Sequence, residues 1–120
     1  MIKGVHAMFY TSEADALRAF LRDKMGLAHT DVGGGWLIFD VPHAEVAAHP
    51  VDAENSPPSG THDISFWCDD IEATVAALRE RGVEFLDEVS DQGYGLAIHF
   101  EMPGGVTAEL YQPRYQTGGS

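Results

Sequence analysis

Apolar and polar positions alternate with period two over residues 5–11. Val5, Ala7 and Phe9 fall on one side and His6, Met8 and Tyr10 on the other, which predicts a strand. The period changes at Ser12. Ser12-Glu-Ala-Asp15 reads as a capping box, and Leu17, Phe20, Leu21 and Met25 form an apolar stripe that stops at Gly26, the pattern of an amphipathic helix. Strands over 27–32 and 36–41 follow, joined by Gly33-Gly34-Gly35, and after Pro42 a further strand over 45–49. No Lys or following helix accompanies the three glycines, so they read as a hairpin turn rather than a phosphate cradle.

Residues 50–60 carry three prolines with Asn55, Ser56 and Gly60 and hardly any large apolar side chain, the composition of a surface linker. The order then begins again. Ile64, Phe66 and Cys68 alternate with Asp63, Ser65 and Trp67; Asp69 and Asp70 offer cap oxygens; Ile71, Val75 and Leu78 share one helical face; and Gly82 stops the helix. Strands are expected over 83–89, 94–102 and 106–112, with turns at 90–93 and at Pro103-Gly104-Gly105. Gly26 and Gly82 are 56 apart, while Ser12 and Asp69, and Phe9 and Phe66, are 57 apart. That regularity marks an internal repeat. The fold class is therefore α+β, two tandem β-α-β-β-β modules (1–50 and 61–113, linker 51–60) forming a curled mixed sheet around a cavity, with a polar tail over 114–120. One face of each module's sheet is covered by its helix, and the other is left to enclose a ligand or meet a partner.

A chain of 120 residues suits one domain, large enough for a core without metal or disulfide staples. No run approaches the ~20 apolar residues of a membrane span, and the start is too short and too soon polar for a signal peptide, so a cytoplasmic location with no membrane partner is expected. Cys68 is the one cysteine, and its place on the helix-facing side of a strand reads as a small buried residue. A formal charge of −12 with only 7 Lys and Arg argues against nucleic acid. It favours a cationic ligand or a metal, with solubility as the plainer account.

Two stretches carry a family resemblance. Cys68-Asp-Asp-Ile-Glu-Ala-Thr-Val-Ala-Ala-Leu-Arg-Glu-Arg-Gly-Val-Glu-Phe85 and Met102-Pro-Gly-Gly-Val-Thr-Ala-Glu-Leu-Tyr111, within the tandem repeat, resemble the vicinal oxygen chelate superfamily of glyoxalases, bleomycin-resistance proteins and extradiol dioxygenases. The likeness runs from His6 to Pro113. It implies a divalent metal ion (Fe, Mn, Zn, Co or Ni), absent from some members, held by a histidine on a module's first strand and a glutamate on its last. His6 and Glu109 match those places. For the second module two residues compete: His62 has the chemistry, whereas Asp63, counted from the helix cap, has the register. The resemblance gives His6, His62 and Glu109 as the metal set, with Asp63 the alternative to His62, and Glu109 and Tyr94 as catalytic candidates.

Imidazole and carboxylate suit such an ion, and open coordination positions would polarise adjacent substrate oxygens. Tyr10, Trp36, His49, Asp63, Trp67, Tyr94 and Tyr111 are the expected substrate-binding residues, since aromatic rings give apolar walls with polar tips and faces that attract cations. His99 is a minor candidate for the lining, and His29 and His43 have no assigned role. Two functions follow from the resemblance: a metal-dependent lyase, isomerase or dioxygenase acting on a small oxygenated substrate, or a metal-free protein that sequesters a cationic aromatic compound. Both imply a small-molecule ligand and a homodimer.

Overall fold

The computed structural model describes residues 7–9, 11–41, 43–44, 47, 58–59, 63–93 and 95–114. Their elements run α1 (Ala14–Ala19), a π-helical turn (Phe20–Lys24), β1 (Ala28–Asp31), β2 (Leu37–Asp40), β3 (Ser65–Trp67), α2 (Ile71–Glu80), β4 (Ser90–Asp91), β5 (Gly95–Met102) and β6 (Val106–Pro113). The result is an α+β fold with an antiparallel hairpin β1–β2 and a mixed four-stranded sheet in the order β3-β6-β5-β4. Within it β3 runs parallel to β6, and the β5–β6 and β4–β5 pairs are antiparallel. No helix among the described residues is long and apolar enough to cross a membrane.

Local chemistry accounts for α2. The Asp70 carboxylate accepts from the Ala73 amide at 3.1 Å, and the Gln112 side-chain oxygen, reaching over from β6, accepts from the Ile71 amide at 2.8 Å. Two of the four unpaired amides of the first turn are thereby satisfied. At the other end Gly82 turns left-handed at φ +86°, and the Val83 and Gly82 amides return to the Leu78 and Arg79 carbonyls, a Schellman closure. Ile71, Val75 and Leu78 lie inward, as the spacing requires.

The first helix is shorter than its apolar stripe. It begins after Glu13, with no side-chain cap, so the expected Ser12 cap is not formed. Thr11 takes that part instead: its hydroxyl accepts the Glu13 amide and donates to the Pro103 carbonyl at 3.0 Å. This ties the helix entrance to the β5–β6 turn. The last turn then widens, with the Met25 amide bonded to the Phe20 carbonyl, five residues back, as in a π-turn. The Arg81 guanidinium at the end of α2 donates to the Lys24 carbonyl at 3.0 Å, so the two helix ends meet.

One core joins both halves. Leu17, Phe20 and Leu21 pack with Ile71, Val75 and Leu78 against Ile98, Phe100, Met102, Ala108 and Leu110. Phe100, fully buried, stands at its centre with ring centroids of Phe20, Phe66 and Phe85 at 6.5, 6.3 and 5.9 Å. Cys68 packs at the edge of this cluster, and burial pushes its thiol above the ordinary range.

The expected strand over 83–89 is a correction. Only an isolated bridge forms, Phe85 to Phe100, and the ladder resumes at Ser90–Asp91, where a turn was expected. The cause is Asp87, whose carboxylate, in place of a main-chain carbonyl of its own segment, accepts the His99 amide of β5. The strand expected over 45–49 and most of that over 5–11 lie outside the described residues.

Candidate functional site on the sheet face opposite the helices

Residues two apart on a strand share a face, so the register of the sheet stacks its second face in rows. Ser65 stands opposite Glu109 and Glu109 opposite His99. One pleat away, Trp67 stands opposite Tyr111 and Tyr111 opposite Ala97. Leu110, Ala108, Ile98 and Phe100, the intervening residues, are those that pack into the core, which leaves these two rows on the face away from the helices.

The polar row is continuous. Ser65 Oγ donates to Glu109 Oε1 at 2.9 Å, and His99 Nε2 lies 3.3 Å from Glu109 Oε2. His99 Nδ1 lies 2.8 Å from Asp87 Oδ2, and the His99 amide donates to Asp87 Oδ1 at 2.8 Å. Desolvation opposes ionisation of Asp87, but the His99 amide, ring and charge outweigh it and hold its carboxyl below the ordinary range. The side chains of Glu109, His99 and Asp87 remain 27%, 42% and 47% exposed. Ion pairs this open contribute only about 0–1 kcal/mol to stability, so this run of Ser65, Glu109, His99 and Asp87 is not needed to hold the fold.

Beside them, Tyr111 is buried and Trp67 half-buried, and the His43 ring packs on Trp67 with centroids 6.0 Å apart. Gly95 allows this packing: a Cβ there would lie 2.5 Å from Tyr111 Cε1. The β4–β5 turn at this edge is braced by Arg114, which pairs with Asp91 at 2.6 and 2.8 Å and donates to the Gly93 carbonyl. The guanidinium lowers the Asp91 pKa to about 2, helped by the Gly93 amide.

Of the residues singled out from the sequence, Glu109, Trp67 and Tyr111 share this face. Asp63 is exposed just before β3 and, by alternation, lies on the Ser65 side. Trp36 is elsewhere: it sits half-exposed at the start of β2 with the Arg18 guanidinium 4.6 Å from its ring centroid. His6, Tyr10, His49, His62 and Tyr94 lie outside the described residues. Asp87 and Ser65 were not singled out, and His99 only as a minor candidate. An aspartate inside a supposed strand, where Asp is disfavoured, was the available signal for Asp87. A cleft of about 410 Å³ lies away from this face, between the helix ends and the β5–β6 turn, lined by Phe20, Lys24, Glu84, Glu101 and Gly104 among others. It contains none of the expected residues.

Imidazole and carboxylate donors suit a divalent metal in kind. Among the described residues, however, no three His, Cys, Asp or Glu side chains are grouped to hold one. Both Glu109 oxygens already have protein partners, so a metal at Glu109 would share the carboxylate with Ser65 and His99.

Comparison with known proteins agrees with the fold. A lactoylglutathione lyase from Agrobacterium tumefaciens superposes with a TM-score of 0.64 at 19% identity, covering 92% of each chain. TnmS3, an antibiotic-binding protein from Streptomyces sp. CB03234, gives 0.64 at 26% identity over 94% of this chain and 98% of its own. A member of the glyoxalase/bleomycin resistance protein/dioxygenase superfamily from Sphaerobacter thermophilus gives 0.62 at 23% identity over 93% and 98%. Among curated proteins none matches the chain in sequence. The family model of that same superfamily matches residues 4–110, and with the mixed sheet and two helices described above, the chain belongs to the glyoxalase/bleomycin resistance protein/dioxygenase superfamily.

Proposed function

We propose that the protein binds a cationic aromatic small molecule on the face built from Ser65, Trp67, His99, Glu109 and Tyr111. The observation that carries this reading is the engagement of both Glu109 oxygens by Ser65 and His99 beside the Trp67–Tyr111 row. A carboxylate held in place offers a fixed negative charge, and the half-buried Trp67 beside it offers a ring face that attracts a cation and area that favours a flat ligand. A net charge of −12 draws such a ligand in. Likeness to the antibiotic-binding TnmS3 at 26% identity supports a sequestering role. Fluorescence titration with ethidium, a cationic aromatic probe, tests it: Glu109→Gln and Trp67→Ala should each weaken binding about tenfold. Affinity unchanged in both variants would refute the assignment.

A second reading has its own support. Glu109 stands on the last strand opposite β3, which begins three residues after His62. His6, His62 and Glu109 would then hold a divalent ion, which supplies Lewis-acid polarisation of adjacent substrate oxygens in a lyase, isomerase or dioxygenase. Tyr94 would be the further catalytic side chain, and Tyr10, His49 and Asp63 would complete the lining. Metal analysis of untagged protein decides: stoichiometric metal lost in both His6→Ala and Glu109→Ala supports the ion, and metal-free wild-type protein opposes it.

Either reading uses the tandem β-α-β-β-β modules curled around a cavity. It also uses a homodimer, in which a second copy covers the β1–β2 hairpin. The exposed Val32, Trp36 and Val41 beside that hairpin support this, because a lone two-stranded hairpin is marginal without a surface to pack on. Sedimentation equilibrium that finds only monomer would remove the dimer.

A further inference from the structure

Asp87 makes an arrangement that neither packing nor the sheet requires. The Leu86 amide donates to the His99 carbonyl at 2.8 Å as in an antiparallel ladder. At the next step the Asp87 side chain, rather than a main-chain carbonyl, accepts the His99 amide. Its second oxygen takes the ring of the same residue at 2.8 Å. Two contacts from one carboxylate, one to backbone and one to Nδ1, leave the imidazole a single orientation, with its Nε2 edge toward Glu109. An ionised carboxylate only accepts, so the ring donates from Nδ1 to Asp87 and, where it pairs with Glu109, from Nε2 as well. The interruption adds no burial, since Asp87 is 47% exposed, and exposed pairs add little to stability. What it provides is orientation. From the other side Ser65 fixes the remaining Glu109 oxygen.

We propose that Asp87 is a positioning residue for this face: it holds the His99 imidazole, and through it the Glu109 carboxylate, in one arrangement, and so sets the affinity of the face for its ligand. This rests on the binding role given above to Glu109. The test uses the full chain and the conservative variant Asp87→Asn, in which the amide oxygen still accepts the His99 N–H while the amide nitrogen donates to the ring. Long-range proton–nitrogen correlation at pH 6 should show hydrogens on both ring nitrogens in the wild type and on Nε2 alone in the variant. A residue that merely supports the backbone would leave the ring signals unchanged, and that result would overturn the proposal.

Ethidium titration adds the affinity. Asp87→Asn and His99→Gln should each weaken binding about three- to tenfold, and the double variant should bind no more weakly than the weaker single variant, because the two act as one unit. Losses that multiply would also overturn it. If wild-type protein fails to bind ethidium, the reading of the face as a cation site falls, and the ring-nitrogen comparison alone decides for or against Asp87.

Discussion

Replacing Gly95 with alanine tests how closely β5 and β6 meet at the edge of the binding face. The glycine is buried at the start of β5, in register with Pro113. An added Cβ would lie 2.5 Å from the Gln112 carbonyl oxygen, 2.5 Å from Tyr111 Cε1 and 3.2 Å from Pro113 Cα. The ring contact is roughly 1 Å inside the carbon–carbon optimum of ~3.5 Å. Neither neighbour can yield freely: Tyr111 is buried at 8% exposure, and the side chain of Gln112 caps α2. Overpacking of this kind costs about 1–3 kcal/mol. Against it stands a gain of about 0.4–1 kcal/mol from the stiffer unfolded chain. The steric term wins, and a net loss of about 1–2 kcal/mol should lower Tm by roughly 4–8 °C for a chain of this size. Urea unfolding followed by near-ultraviolet circular dichroism measures the loss and reports the Tyr111 environment. A Gly95→Ala protein as stable as wild type, with an unchanged tyrosine signal, would refute this account of the face.

Phe100→Ala should cost about 3–5 kcal/mol, a large share of the ~5–15 kcal/mol usual for a domain, since its ring is fully buried among Phe20, Phe66 and Phe85; equilibrium unfolding checks it, and a loss under about 1 kcal/mol would remove Phe100 from the centre of the core. Gly104→Ala should destabilise twice over, because φ is +89° and a Cβ would meet the Thr11 hydroxyl, so adding Thr11→Ala should recover only part of the loss in thermal unfolding. Acid should weaken the fold through Asp91 and Asp87, both lowered from 3.8, Asp91 to about 2. A lowered carboxyl contributes its stability above the unfolded value and loses it as pH falls through the folded one. The urea midpoint should therefore fall between pH 4 and pH 2, and less steeply in Asp91→Asn; an identical fall in that variant would count against the Arg114 pair.

The elements with a strong local cause were legible in the chain. Asp70 and Gly82 mark the ends of α2, the Ile71, Val75 and Leu78 spacing its buried face, and Pro103-Gly104-Gly105 the β5–β6 turn, because caps, periodicity and left-handed glycines act within a few residues. Glu109 and Trp67 could likewise be assigned to one face from strand alternation and the family pattern. Where the long-range contacts decide, the sequence was silent. Nothing near Ser12 announces that Thr11 will bond to Pro103, 92 residues away, and start the helix later. Asp87 is ill suited to a strand over 83–89, yet nothing there announces that its carboxylate will take the amide and ring of His99. Apolar periodicity counts which side chains are buried, whereas the partner of an exposed carboxylate depends on which strand is brought beside it, and that is settled only when β5, β6 and β3 align.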